Sequence, residues 1–225
     1  MPESKPGGVV LLHGIGNHSG IMRRMALALE AEGYATLNVS YPSLTKPLVA
    51  IADNLVPRVS GFADTCDGPI HFIGHSLGGL VIRAYLARSR PANLGRVVML
   101  GTPNQGSELA DLACRLRLNR LLLGPVGRHL VTKRTHADEA QLGVIDYPLG
   151  IIAGNRPTPP YLFAAFFNAP NDGKVMVERT HVAGQADHLT LPLAHQALPK
   201  HLHVAEQTIA FLRNGRFDAN RRLSN

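Results

Sequence analysis

The residue with the clearest chemical potential is Ser76, set in Gly74-His75-Ser76-Leu77-Gly78-Gly79. It follows the apolar run Ile70-His71-Phe72-Ile73 and leads into a stretch of helical period, so the serine falls on a sharp strand-to-helix turn. Such a turn strains the backbone at its central residue, and side chains at Gly74 and Gly78 would collide with it. It also pushes the hydroxyl out of the fold and aims the N–H of Leu77, at a helix start, toward any anion forming there. With 22 glycines in 225 residues the bare Gly-x-Ser-x-Gly spacing is weak evidence; the strand-then-helix setting gives it a mechanism. A serine hydroxyl is by itself a poor nucleophile. It needs an imidazole to take its proton and a carboxylate to orient that imidazole. Eleven histidines compete for the first role, and spacing alone leaves the choice open.

The elements that must position these groups follow from the apolar pattern. Runs of four to six apolar residues alternate with longer segments of helical period, which predicts an α/β fold: a mostly parallel, buried central sheet flanked by helices. The predicted strands are Val9–Leu12, Ala35–Val39, Pro69–Ile73, Arg96–Leu100, Leu149–Ala153 and Thr180–Ala183. Met22, Met25 and Leu29 predict a helix stopped near Gly33, and Leu48, Ile51, Leu55, Val59 and Phe62 predict the next. A third runs from Leu77 to about Ser89 ahead of Pro91, and the last carries Val204, Ile209, Phe211 and Leu212. Residues 103–148 and 154–171 contain long stretches without a clean period and are the candidates for a small cap or long loops over a site. The second holds Tyr161, Leu162, Phe163, Phe166 and Phe167, which suit an acyl pocket, a greasy lid or a buried helix equally well.

A chain of this length reads as a single domain over 1–225. It contains no run of roughly 18 apolar residues of the kind a membrane span requires. Residues 1–8 leave no room for a secretory leader, so the cytoplasm is expected, although a secreted mature form would read the same. Cys66 and Cys114 make no disulfide framework and are expected to be free thiols. The formal charge of +7 is scattered except for Arg115, Arg117, Arg120, Arg128, Lys133 and Arg134, with no acidic residue between Asp111 and Asp138. Without interleaved aromatics this run does not suit nucleic acid, so none is expected as a partner. A solvated helix face is the plain expectation, and peripheral contact with anionic lipid the functional one.

Taken together, these pieces resemble the α/β-hydrolase superfamily, in particular its bacterial esterase and lipase branch, over most of the chain. His13-Gly14-Ile15-Gly16 follows the first strand and is similar to the His-Gly loop that lends the family's second oxyanion N–H, a role the resemblance assigns to Ile15 beside Leu77. Gly101-Thr102-Pro103-Asn104-Gln105-Gly106-Ser107 resembles a mostly structural Gly-Thr-Pro-x-x-Gly-Ser segment of lipase-like members. Asn171-Asp172-Gly173-Lys174-Val175 resembles the turn carrying the triad acid, which implies Asp172, with Asp187 and Asp146 as fallbacks. The family's base lies in a loop before the last helix, which implies His195, with His188 second. His181, His201 and His203 read as packing or surface residues, and His13 as a shaper of the oxyanion loop.

The resemblance thus implies Ser76, Asp172 and His195 acting on a small-molecule ester or lipid through an acyl-enzyme, with no cofactor and no metal. Thioester hydrolysis and acyl transfer are chemically open to the same groups. A hydrolase-like binding protein is the alternative of a different class.

Overall fold

Strands buried on both faces must be covered by helices on both sides, and right-handed crossovers between parallel strands supply them. The computed structural model describes residues 7–157 and 167–218 and contains one six-stranded parallel sheet. Its strands are β1 (Gly8–Leu12), β2 (Ala35–Val39), β3 (Ile70–His75), β4 (Leu94–Leu100), β5 (Leu149–Gly154) and β6 (Asp187–Leu191), in the order β2-β1-β3-β4-β5-β6. The helices are α1 (Arg23–Ala31), α2 (Leu48–Ala63), α3 (Leu77–Leu86), α4 (Glu108–Arg115), α5 (Asn119–Leu122), α6 (His136–Ala140), α7 (Val177–Thr180) and α8 (Leu202–Asn214). Among the described residues no helix is long and apolar enough to cross a membrane.

Alternation along each strand divides the interior in two. Val10 and Leu12 of β1, Phe72 of β3 and Met99 of β4 pack with Ile51 and Leu55 of α2 and Leu80 of α3. Val9, Leu11, Ile73, Val98 and Leu100 face the other way, onto Met25 and Leu29 of α1 and Val204 and Phe211 of α8. The strand order reverses direction at β1, so the C-terminal ends of β1 and β3 flank the crevice where ligands bind in sheets of this kind. The His13-Gly14 loop leaves β1 there, and Ser76 leaves β3.

Most predicted elements are present, with two departures. Thr180–Ala183, predicted as a strand, is instead the end of the single-turn α7 and the turn after it. The Thr180 hydroxyl donates to the Val177 carbonyl, and Gly184 at φ 91° redirects the chain into β6, which supplies the sixth strand. A short β-branched run reads alike in either state, which is why periodicity misplaced it. The basic run is not a uniformly solvated face: Arg134 turns inward and donates to the carbonyls of Pro103, Asn104 and His129 at 2.8, 2.6 and 2.7 Å. Of the aromatic cluster in 154–171, Tyr161, Leu162, Phe163 and Phe166 lie outside the described residues, and Phe167 is buried. Cys66 and Cys114 are free thiols, as expected.

His71 on β3 is 3% exposed and accepts the Arg96 N–H at Nδ1. Burial, reinforced by the Arg96 guanidinium, pulls its pKa down from 6.5 to about 4. Between those values the unfolded chain binds a proton that the folded chain refuses, so this group's contribution is complete above pH 6.5 and is lost as pH falls toward 4. The loss is about 1.4 kcal/mol per pH unit for each such group. Urea midpoints measured from pH 7 to pH 4 are expected to fall through that window, and to fall less steeply for His71→Gln. An equal slope in wild type and variant would show that His71 is not a source of the acid sensitivity.

Candidate active site

Ser76 is the hinge between β3 and α3, with φ 55° and ψ −120°, a conformation that side-chain-bearing residues rarely adopt. Three hydrogen bonds hold it. Its N–H donates to Leu100 O at 2.9 Å, and its carbonyl accepts from Gly79 N at 3.1 Å and from the Thr102 hydroxyl at 3.0 Å. The glycines around it are steric necessities. A Cβ on Gly74 would lie 2.5 Å from Gly79 N, one on Gly78 would lie 2.3 Å from Leu12 O, and one on Gly79 would lie 2.1 Å from Thr102 Oγ1. Leu77 opens α3, so its N–H has no partner inside the helix and lies at the positive end of the helix dipole.

The loop after β1 approaches the same serine. A Cβ on Gly14 would sit 3.1 Å from Ser76 Cβ, so the backbone of His13-Gly14-Ile15-Gly16 passes directly alongside it. His13 is buried and stacked on Tyr41, with ring centroids 4.1 Å apart. Its Nε2 accepts the Tyr41 N–H at 3.2 Å, which leaves Nδ1–H to donate to Gly14 O at 2.8 Å. Burial lowers its pKa, in keeping with that neutral form. The Tyr41 hydroxyl donates to His13 O, and Gly16, at φ 65°, donates its N–H to Ser43 Oγ. Ile15 is thereby set in a fixed loop beside Ser76.

The structure brings Asp172 and His195 together. His195 Nδ1–H donates to Asp172 Oδ2 at 2.7 Å, and the His195 backbone N–H donates to Asp172 O at 2.9 Å. Both residues are buried, at 2% and 3% exposure. The second carboxylate oxygen, Oδ1, accepts the N–H groups of Lys174 and Val175 at 3.0 and 2.8 Å, so the Asn-Asp-Gly turn predicted from sequence anchors the carboxylate. Gly101, at φ 57°, lets the end of β4 pass close to the pair: a Cβ there would come within 3.1 Å of both Asp172 Oδ2 and His195 Nδ1. The other candidates are engaged elsewhere. His188 bonds the Thr180 hydroxyl at 2.8 Å and stacks on His181, Asp187 accepts the Phe217 N–H, and Asp146 pairs with Arg90 at 2.6 Å.

Ser76 and His195 line one cavity of about 480 Å³, together with Ile15 and Lys174. Its wall is a sheet of aliphatic side chains from the β4–β5 connection: Leu109, Leu112, Leu116, Leu118, Leu122 and Leu130, with Ala110 and Ala113 between them. Most of the apolar lining comes from 103–148, with Ile15, Leu44 and Val175 beside it, and no aromatic residue contributes to it among the described residues.

Two contributors were not visible in sequence. His75, the variable position of the motif, donates from Nε2–H to the His195 carbonyl at 3.0 Å with the rings 4.8 Å apart. Burial above all, and then the neighbouring His195, holds its pKa well below 6.5, so it is a neutral brace for His195. Ser107 caps α4 and donates its hydroxyl to Lys174 O at 2.7 Å, tying the β4–β5 connection to the Asp172 turn. No local pattern signals either contact, because each joins residues more than 60 positions apart.

A parallel sheet with a strained serine at its switch point, sharing a cavity with the histidine of a buried Asp–His pair, has the architecture of the α/β hydrolases. The chain belongs to the alpha/beta hydrolase family, whose model matches residues 9–213. Among solved structures it is similar to the mature form of the lipase BlEst2 from Bacillus licheniformis, with a TM-score of 0.71, 20% identity and coverage of 96% of this chain and 93% of that one. It is also similar to the metagenomic carboxyl esterase MGS0156, with a TM-score of 0.62, 20% identity and coverage of 88% and 67%. A lipase-esterase related protein from Clostridium acetobutylicum ATCC 824 aligns with a TM-score of 0.58 and 17% identity over 93% and 95%. At these identities the likeness is one of fold. No curated protein matches the chain in sequence.

Two glycine substitutions separate the turn from the rest of the fold. Gly78→Ala forces a Cβ against the Leu12 carbonyl and is expected to cost about 1–3 kcal/mol in urea unfolding and to disturb the serine. Gly61→Ala, on α2 with nothing within 4 Å of its new Cβ, is expected to stabilise by about 0.5–1 kcal/mol. Equal effects at the two positions would mean that the turn is not sterically closed.

Proposed function

We propose that the protein is a carboxylic ester hydrolase of the esterase or lipase kind. The observation that carries this reading is the buried 2.7 Å Asp172–His195 pair sharing a cavity with a serine in a strained turn. Asp172 accepts a hydrogen bond from Nδ1–H of His195, so Nε2 is the nitrogen that accepts the Ser76 proton as Oγ attacks the ester carbonyl. The carbonyl oxygen becomes an oxyanion held by the N–H groups of Ile15 and Leu77, and each such donor contributes on the order of 3 kcal/mol to the barrier reduction. Collapse of the tetrahedral adduct breaks the ester C–O bond, and the proton on His195 passes to the leaving alkoxide. Water, deprotonated by the same imidazole, then attacks the acyl-Ser76 ester and releases the acid. A lipase and a carboxyl esterase among proteins of the same fold are in keeping with this chemistry.

The leucine wall points to an acyl chain as the group bound in the cavity, since it offers area to a hydrocarbon and little to a polar acid. Ala113, 7% exposed, marks where the chain would lie.

Hydrolysis of p-nitrophenyl esters of rising chain length tests both statements. Ser76→Ala and His195→Gln are expected to abolish turnover while remaining folded, and Asp172→Asn to lower kcat by about three to four orders of magnitude. Wild-type rates in the folded Ser76→Ala protein would refute the mechanism. Ala113→Phe is expected to lower kcat/KM for long-chain esters on the order of tenfold or more while leaving acetate and butyrate within about twofold. A uniform loss over all chain lengths would show that the acyl group lies elsewhere.

A further inference from the structure

The structure leaves a ridge of leucines and arginines exposed around the mouth of the Ser76 cavity. Eight large apolar side chains are exposed among the described residues, and four of them fall within seven positions: Leu116 at 59%, Leu118 at 41%, Leu121 at 77% and Leu122 at 53%. Leu116, Leu118 and Leu122 also line the cavity, so the patch is continuous with the way in. Arg115, Arg117 and Arg120 are interleaved with them and exposed. Their neighbours in the basic run, Arg128 and Arg134, pair with Asp138 and Glu139, whereas no carboxylate pairs with Arg115, Arg117 or Arg120 among the described residues. Arg117 lies just past the end of α4 at φ 58°, with the Leu118 N–H bonded to Ala113 O at 2.8 Å. A glycine takes such a turn without strain, yet this chain carries an exposed cation there.

We infer that this ridge, α4–α5 from Arg115 to Leu122, is a docking surface for an anionic lipid bilayer. Leucines on an otherwise solvated ridge gain by entering the acyl layer, and arginines beside them are drawn to anionic headgroups. A second copy of the chain fits worse, because a two-fold contact sets the same arginines against each other. Nucleic acid leaves the exposed leucines with nothing to bury against. Docking turns the leucine-lined mouth toward the lipid, so a substrate acyl chain passes from one apolar phase to another without crossing water. That use of the surface, though not the binding itself, rests on the ester-hydrolase reading.

Flotation of the full chain with phosphatidylcholine vesicles, with and without phosphatidylglycerol, tests the inference. Binding is expected to the mixed anionic vesicles alone and to weaken with added salt. Arg115→Ala, Arg117→Gly and Arg120→Ala are each expected to weaken it about fivefold, and the triple variant about 100-fold. Leu121→Ser is expected to weaken it about tenfold. Arg117→Gly relieves backbone strain, so loss of binding in that variant is not a folding defect. None of these residues lines the cavity, and hydrolysis of soluble p-nitrophenyl acetate is expected to be unchanged in all of them.

Equal binding to neutral vesicles, no binding to anionic ones, or variants that bind like wild type would overturn the inference. So would a dimer in sedimentation that Leu121→Ser dissociates, since the ridge would then be a self-contact. Ser76→Ala is expected to float as wild type does. Vesicle binding by a wild-type protein without esterase activity would sink the ester-hydrolase reading alone, and activity without binding would sink this inference alone.

Discussion

A serine held at φ 55° is the constraint on which the rest of the molecule depends. Such a conformation costs on the order of 1–3 kcal/mol and persists only where the surroundings over-determine it. Here they do so from several sides. Leu100 and Thr102, at the end of the neighbouring strand, bind both ends of the Ser76 peptide unit, and α3 begins close enough to β1 that only glycine fits at 78. The fully buried parallel sheet is what makes these partners rigid. Its strands end together at the switch point, so the loops after β1, β3 and β4 all meet at one serine.

The β4–β5 connection serves the site in two ways. Its leucines form the cavity wall, while its start is tied down by two buried arginines. Arg83 of α3 reaches the Asn104 side chain and Gly143 O, and Arg134 reaches the carbonyls of Pro103 and Asn104. Ser107 then links the connection to Lys174 beside Asp172. The connection that carries the wall and the Asp172 turn are therefore parts of one hydrogen-bonded unit. Charge is divided within the same segment: Arg134, bonded to three backbone carbonyls, turns in, whereas Arg115, Arg117 and Arg120 are exposed.

Burial also sorts the histidines. His13, His71, His75 and His188 all have lowered pKa values, with desolvation as the largest cause in each. For His75 this matters to the site, because a second imidazolium 4.8 Å from His195 would oppose any positive charge placed on that ring. Kept neutral, His75 donates a hydrogen bond to the His195 backbone and adds no repulsion.

Features carried by local chemistry were legible in the sequence. Five strands, the main helices, the serine turn and the Asp172 turn follow from apolar period, glycine placement and Asx-turn preference, all of which act over a few residues. The identity of the sixth strand was not, since Thr180–Ala183 and Asp187–Leu191 differ only in which one finds β5 to pair with. Nor could the sequence rank His195 above His188 except by resemblance, or tell the inward Arg134 from the outward Arg117 at all. The aromatics of 154–171 suit an acyl pocket, a lid or a buried helix equally well, and among the described residues it is leucines of 109–130 that line the cavity. Sequence thus determined which groups were chemically competent and what each local turn would be. Only the tertiary structure decided which of them meet, because contacts such as His75 to His195, 120 residues apart, are set by the order and twist of the sheet and leave no trace in local pattern.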